Sequence, residues 1–245
     1  MTDPPTFGAV LQLDFHGPLS QERADRLAAA LAALKPSTLI DLGCGWGELL
    51  LRILAAAPAA RGVGVDRHGP DLARGRANAA VRRLADRVVF FEGPATEHLQ
   101  AADVVISLGA YQALGTVAEA LVTLRHVVNP GGRLLFGAEF WESTPTPPRL
   151  AEMWPGTTAD DCTDLAGMVD LAVEAGFRPL RIETATGSEW EEFESGFTAD
   201  LEEWLLGHGD HPQAAELRAR VDRHRSFWLR GHRNLLGFAY LTLGV

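Results

Sequence analysis

The sequence predicts a doubly wound α/β fold, in which helices cover both faces of a parallel sheet. Short apolar runs alternate with amphipathic stretches of helical period through most of the 245 residues, as in repeated βαβ units. The runs at 38–42 and 103–108 are almost continuously apolar, which is typical of strands buried on both faces. Three alternating glycines, Gly43, Gly45 and Gly47, follow the first run and open a helical pattern. The first unit of the predicted sheet is therefore a strand, a tight glycine turn and a helix.

The first half of the chain predicts five strands joined by helices. Ser20 is placed to cap the first helix, over 20–34, and Pro36 ends it. The Asn-Pro-Gly-Gly sequence at 129–132 predicts a sharp turn before the fifth strand. The predicted strands are 38–42, 62–66, 87–91, 103–108 and 133–140, and the helices between them are 46–57, 71–84 and 117–128.

The second half predicts two more strands and three helices. A Pro/Thr-rich stretch follows the fifth strand and runs to Thr163. Ser188 and Glu191 have the spacing of a capping box, which predicts that a helix begins there. That helix is predicted to end at about 206. The remaining predicted elements are a helix at 164–175, a strand at 178–184, a helix at 212–229 and a last strand at 235–243.

Composition excludes several classes of partner. The net charge is −10 and no basic block occurs, so a nucleic-acid partner is not expected. No apolar run reaches the roughly 18 residues of a membrane span, so no membrane partner is expected. Cys44 and Cys162 are the only cysteines, and neither has a neighbour at metal-ligand spacing. This predicts a cytoplasmic protein with neither a metal site nor a disulfide framework.

The glycine turn and the acid that follows it predict a nucleoside site. Free N–H groups at the start of the helix after Gly47 favour an anionic group. Asp66 ends the second apolar run, where a carboxylate can accept hydrogen bonds from both hydroxyls of a ribose. The dinucleotide fingerprint has the form G-x-G-x-x-G, whereas here Gly47 comes one residue too early.

Four motifs resemble those of the class I S-adenosylmethionine (SAM)-dependent methyltransferases. Residues 41–47 (Asp-Leu-Gly-Cys-Gly-Trp-Gly) look like motif I and residues 64–66 (Gly-Val-Asp) look like motif II. Residues 102–107 are similar to the family's strand-four motif, and 124–134 resemble its L-x-P-G-G-x-L turn. The resemblance covers most of the chain and is to the small-molecule type. It implies a Rossmann-like seven-stranded sheet of order 3-2-1-4-5-7-6 with an antiparallel last strand and helical additions.

The resemblance also implies SAM as cofactor, S-adenosylhomocysteine (SAH) as product and a set of binding residues. The family often has an acid for the adenine amino group where this chain has Pro94. Adenine is then held by the backbone at Ala95 and the Thr96 side chain, or by Glu92. The implied cofactor-binding residues are Asp41, Gly43, Cys44, Gly45, Gly47, Asp66, Arg67, Pro94, Ala95, Thr96, Leu108 and Gly109.

Three residues are candidates for catalysis, since the methyl group should lie over the ends of strands four and five. Tyr111 and Glu139 follow or end those strands, and His16 lies in an N-terminal segment that can act as a lid. Each also has a structural interpretation: Tyr111 as a pocket wall, Glu139 bonded to backbone, His16 as a loop residue. The later aromatic residues suit an apolar or aromatic acceptor, or else simple helix packing. They are Trp141, Trp154, Trp190, Phe193, Phe197 and Trp204.

The expected function is methyl transfer from SAM to an O, N or C atom of a small molecule. We expect one methyltransferase domain over 1–245, with a lid at 1–35 and helical insertions at about 142–163 and 188–231, as a monomer or homodimer. Two alternatives stay open: a protein that binds SAM or SAH without transfer, and an NAD(P)-dependent oxidoreductase.

Overall fold

A computed structural model describes residues 3–245, and the chain forms two compact units. The sheet unit comprises Ser20–Glu139, Leu165–Thr184 and Phe238–Val245. The helical unit takes its described residues from 3–19, Phe140–Asp164 and Ala185–Gly237.

The sheet has seven strands in the order β3-β2-β1-β4-β5-β7-β6, as predicted. The pairs β1–β2, β2–β3, β1–β4 and β4–β5 are parallel, while β6 and β7 are antiparallel. The fold class and the direction of the last strand are therefore confirmed. The strands are β1 Thr38–Leu42, β2 Arg61–Asp66, β3 Val88–Glu92, β4 Ala102–Leu108, β5 Val128–Trp141, β6 Arg178–Thr184 and β7 Leu236–Gly244.

Helices connect the strands and build most of the helical unit. Ser20 caps α1 as predicted, its hydroxyl accepting the Arg23 N–H at 3.2 Å. The α-helices are α1 Gln21–Ala32, α2 Glu48–Ala56, α3 Gly69–Val81, α4 Val117–Arg125, α5 Pro147–Leu150, α6 Leu165–Glu174, α7 Gly187–Gly207 and α8 Ala214–Ser226. Short 3₁₀ turns occupy Ala95–Glu97, Tyr111–Leu114 and Ala159–Asp161, and a π-helical turn follows α8 at Phe227–His232.

The core of the sheet unit lies along its central strands. Ile40 in β1, Val104 and Val105 in β4, and Leu134 and Leu135 in β5 have no exposed surface. These are the runs that lack polar alternation in the sequence, because helices cover both faces of the sheet at these strands.

The predicted turn at residues 129–132 is instead part of β5. Ala102 pairs with Val128, and the register then shifts so that Val104 pairs with Arg133. The residues between form an outward bulge, which Asn129 anchors by donating from Nδ2 to Asp103 Oδ1 at 2.8 Å. Because Val128 joins the sheet, α4 ends three residues earlier than the helical pattern predicted.

The capping box of α7 lies two residues before the predicted one. The Thr186 hydroxyl accepts the Glu189 N–H at 3.2 Å, and the Glu189 carboxylate accepts the Thr186 N–H at 2.8 Å. Ser188 and Glu191 have the same spacing, but Ser188 is already inside the first turn of the helix. The two boxes overlap in sequence, and the one that buries Glu189 forms.

Candidate functional site

The glycine turn between β1 and α2 is held in a left-handed backbone conformation. The φ angles of Gly43, Gly45 and Gly47 are +80°, +54° and +66°, a region that other residues enter only at a cost. The N–H groups of Gly43 and Cys44 both donate to the Val65 carbonyl, at 2.8 and 3.0 Å. The turn is therefore fixed to the end of β2 by its own backbone.

The three glycines differ in what surrounds them. A Cβ on Gly43 would lie 2.2 Å from the Ala110 Cβ, and a Cβ on Gly47 would lie 2.6 Å from the Phe90 ring. A Cβ on Gly45 would meet nothing within 4 Å. Gly43 and Gly47 are therefore required by packing, whereas the open side of the turn is at Gly45, where another molecule can approach bare backbone.

The structure brings Asp66 to this open side. Its Oδ2 accepts the Gly45 N–H at 2.8 Å and its Oδ1 accepts the His68 N–H at 2.9 Å. Each carboxylate oxygen has capacity for a further hydrogen bond, and Asp66 is only half-buried. Arg67, the next residue, is exposed. The carboxylate thus both supports the turn and offers acceptors at the carboxyl end of β2.

Asp41 is a second acid at the same place, and it is buried. Its residue is 5% exposed, one position before the end of β1. Burial, with a smaller contribution from the negative charge of Asp66, raises the pKa of Asp41 to about 8. At neutral pH its carboxyl is therefore mainly protonated. Burial likewise raises the pKa of the Cys44 thiol far above its usual value, so Cys44 is an inert thiol.

The segment after β3 lies beside Asp66. The Gly93 N–H donates to the Asp66 carbonyl at 2.9 Å. Pro94 precedes the 3₁₀ turn that begins at Ala95; Ala95 is buried and Thr96 exposed. The Glu92 carboxylate lies against the start of α3, since a Cβ on Gly69 would be 2.8 Å from Glu92 Oε2. Thr96 and Glu92, the two side chains that the sequence analysis considered for holding adenine, thus both lie at the β2–β3 end of the sheet.

The ends of β4 and β5 bring together the remaining candidates of the sheet unit. Leu108 pairs with Gly137, and the Gly109 N–H donates to the Gly137 carbonyl at 2.9 Å. The half-buried Tyr111 follows, with its ring 6.5 Å from that of Phe136. Burial raises the pKa of Glu139, two residues beyond Gly137, which favours its neutral form.

His16 belongs to the helical unit. It is exposed, with its ring 6.3 Å from Phe193 and 6.4 Å from Phe197. In the same unit, Glu194 is buried and its Oε2 lies 3.0 Å from Nε2 of His224. No local sequence pattern predicts this pair, because thirty residues separate its members.

Other aromatic residues of the helical unit also lie in close pairs. Trp154 lies 3.9 Å from the ring of the buried His232, and Trp190 stacks on Trp228 at 5.1 Å. Burial lowers the pKa of His232, which keeps its ring neutral. The indole N–H of Trp190 is buried and has no hydrogen-bond partner among the described residues.

Two further findings concern residues 3–245. This part of the chain contains no cluster of three or more His, Cys, Asp or Glu side chains able to hold a metal ion. None of its helices combines the length and apolar character needed to cross a bilayer.

Comparison with known proteins places the glycine turn in a family context. A family model described as "Methyltransferase domain" matches residues 40–134. The uncharacterized protein YjhP of Escherichia coli is 26% identical over 231 residues, which are 93% of this chain and 92% of that protein.

Two solved structures are similar over nearly the whole chain. Both are SAM-dependent methyltransferases in complex with SAH, one from Geobacter sulfurreducens and one from Thiobacillus denitrificans. Each is 25% identical and covers 99% of both chains, with TM-scores of 0.84 and 0.85 respectively. The matched domain, the sheet order and the four motifs on their expected strands lead to one conclusion: this chain is a SAM-dependent methyltransferase with the class I fold.

Proposed function

We propose that this enzyme transfers the methyl group of SAM to an O, N or C atom of a small molecule and releases SAH. The observation that carries the proposal is the open side of the glycine turn at Gly45, beside the Asp66 carboxylate. Bare backbone and a fixed carboxylate are the two features that the amino-acid end and the ribose of SAM require. SAM supplies a methyl group already activated by the positive sulfonium.

The chain's own residues then bind and orient the cofactor. In this proposal Asp66 accepts bonds from the ribose hydroxyls, and the glycine turn holds the amino-acid end. Adenine is bound by Ala95 with Thr96, or by Glu92. The full proposed set is Asp41, Gly43, Cys44, Gly45, Gly47, Asp66, Arg67, Pro94, Ala95, Thr96, Leu108 and Gly109. Methyl transfer is an in-line displacement, so holding donor and acceptor in line supplies most of the catalysis.

Proton handling is needed only for an acceptor that must lose a proton. Glu139 is the strongest candidate on physical grounds, because its raised pKa lets its carboxyl exchange a proton closer to neutral pH than an exposed glutamate can. Tyr111 offers a phenolic hydroxyl at the end of β4, and His16 offers an exposed imidazole. We propose these three as catalytic candidates, each to be tested by its own variant.

The chemistry of the helical unit supports a small, partly aromatic acceptor. Phe193, Phe197 and Trp190 belong to a connected set of rings, with centroids 6.0–6.3 Å apart in successive pairs. Ring faces bind planar apolar groups well. The buried indole N–H of Trp190 adds a donor without a partner, which an oxygen of the acceptor can satisfy.

We extend the proposal to the organisation of the protein. One methyltransferase domain spans 1–245, with a lid at 1–35 and helical insertions at about 142–163 and 188–231. We also propose a cytoplasmic monomer or homodimer, in which SAM and the small acceptor are the only ligands needed for methyl transfer.

One experiment separates the proposal from its alternatives. Purified protein is incubated with methyl-labelled SAM and a small-molecule extract, and products are identified by mass spectrometry. Label in a small molecule supports the proposal, while label that binds without transfer supports a SAM-binding protein. Thermal shifts with SAH and with NAD run in parallel, because a ligand stabilises the protein it binds. Stabilisation by NAD but not SAH would refute SAM dependence.

A further inference from the structure

The sheet unit contains a groove whose lining residues differ in chemistry from those of the glycine turn. It runs between α1 and the strands at the β6 edge of the sheet, with about 450 Å³ of space that includes its open mouth. Arg26 and a row of leucines line it from α1, and Arg133, Arg181 and Glu183 line it from the strands. Its mixed arginine and leucine lining differs from the glycine-rich site.

Arginines converge on a single carboxylate at this groove. Glu183 lies 2.6 Å from Arg26, 3.0 Å from Arg181 and 3.3 Å from Arg23. Three guanidinium groups thus contact one carboxylate, which leaves an excess of two positive charges. The whole chain carries a net charge of −10, so this excess is a local reversal of the protein's charge. Such a reversal attracts an anion.

The guanidinium groups retain capacity for a ligand. Arg26 engages Glu183 through one terminal nitrogen, and Arg181 engages it through Nε. Arg133 donates from one nitrogen to the carbonyls of Gly131 and Gly132, at 2.8 Å each. A guanidinium has five N–H donors in a planar fork that matches a carboxylate. Each of these groups can therefore hold its protein partner and also donate to an anion.

The rest of the groove is apolar. Leu27, Leu31 and Leu34 recur on one face of the α1 segment, and Leu34 is 43% exposed although its neighbours on that face are buried. Eight residues separate Arg26 from Leu34, a distance of about 12 Å at helical rise. A ligand that fills the groove thus meets Arg26 and Arg181 at one part and leucine side chains along another.

The groove is distinct from the cofactor site. Leu34 comes just before the amino end of β1, and Arg133 pairs with Val104 near the amino end of β4. The glycine turn follows the carboxyl end of β1, and parallel strands share their directions. This part of the groove and the glycine turn therefore lie at opposite edges of the sheet.

We propose that the groove binds an organic anion with an extended apolar body, of the fatty-carboxylate class. The carboxylate is held by Arg26 and Arg181 through charge-assisted bonds, and the hydrocarbon covers Leu34 and the leucines beside it. The binding is independent of SAM and does not rest on the identity of the methyl acceptor.

The test is calorimetric titration of the full chain with decanoate, acetate and decanol. We expect decanoate to bind. Acetate, which lacks the long hydrocarbon chain, and decanol, which lacks the carboxylate, should each bind at least about tenfold more weakly. Arg26→Gln and Arg181→Gln should each weaken decanoate by about tenfold or more. Both side chains are about half exposed, at 45% and 56%, so the variants should fold. Leu34→Ala should weaken decanoate but leave acetate unchanged.

Arg61→Gln is the matched control. Arg61 begins β2, outside the groove, and donates to the Asp86 carbonyl at 2.8 Å, so its loss removes one charge without touching the site. Melting temperatures establish that each variant is folded. The proposal is overturned by no decanoate binding, by equal binding of acetate, or by an equal loss in Arg61→Gln. It is also overturned if sedimentation shows a dimer that Arg181→Gln dissociates and decanoate does not, since a second copy would then be the occupant.

Discussion

Asp41→Asn should change how the stability of the protein depends on pH. The carboxyl of Asp41 is buried at the end of β1, and burial with the nearby Asp66 charge raises its pKa from 3.8 to about 8. The folded protein thus keeps a proton that the unfolded chain loses near pH 4. An amide has nearly the same shape, accepts hydrogen bonds similarly and carries no ionisable proton. The variant therefore isolates the cost of ionising this one group.

The direction and size of this pH dependence of the free energy of unfolding follow from proton linkage. Between about pH 4 and pH 8 the folded state binds more protons at Asp41 than the unfolded state, so the free energy of unfolding falls as pH rises. The slope approaches about 1.4 kcal/mol per pH unit inside this window. Across the whole window the loss is on the order of 5 kcal/mol. Below pH 4 and above pH 8 the contribution of this group no longer changes.

Urea denaturation at pH 5, 6, 7 and 8 measures the effect. The free energy of unfolding of Asp41→Asn minus that of the wild type should grow by about 1 kcal/mol or more per unit over this range. Glu139, whose pKa burial also raises, is present in both proteins and cancels in the difference. Asp86→Asn, at an exposed acid, is the control and should show no such trend. Parallel curves for wild type and Asp41→Asn would refute the burial of an uncharged carboxyl.

Three further predictions concern single substitutions in the sheet unit. Asp66→Ala should weaken SAH binding by about 30- to 1000-fold, since it removes a carboxylate with two oxygens, and Asp66→Asn should lose less; a calorimetric affinity within threefold of wild type would contradict this. Gly45→Ala should fold, with its free energy of unfolding lowered by about 1–2 kcal/mol because of the positive φ at this position, and it should lose SAH binding. Gly43→Ala should fail to fold stably, because its Cβ would lie 2.2 Å from the Ala110 Cβ. Circular dichroism and SAH titration distinguish the two outcomes. Ser107→Ala should leave the urea midpoint unchanged or raised, because the buried Ser107 hydroxyl has no partner among the described residues, and a large loss would reveal a hidden bond.

The central strands could be located in the sequence because each has a local signal. The runs ending at Leu42 and Leu108 are short, almost continuously apolar and followed by glycine, and burial on both faces favours that composition. The order of the strands came from the family resemblance, since periodicity alone does not reveal, for example, that β7 lies between β5 and β6.

Element boundaries were predicted less well, for a physical reason. Thr186 and Ser188 both precede a glutamate by three residues, so local capping chemistry cannot choose between them. The choice depends on which glutamate becomes buried, a tertiary property. The bulge at Asn129 is similar, because the bond from its amide to Asp103 joins residues that are 26 apart in the chain.

The same distinction explains why a SAM site could be proposed from the sequence, whereas an acceptor site could not. Gly45 and Asp66 are 21 residues apart, yet each stands at a strand end, and neighbouring parallel strands end at the same edge. Two local patterns and one topological rule therefore suffice to bring them together. The helical unit is assembled from three separated segments, and pairs such as Glu194 with His224 arise only from the packing of α7 on α8. No periodicity encodes such a pair, so the acceptor must be found by measuring which molecule receives the methyl group.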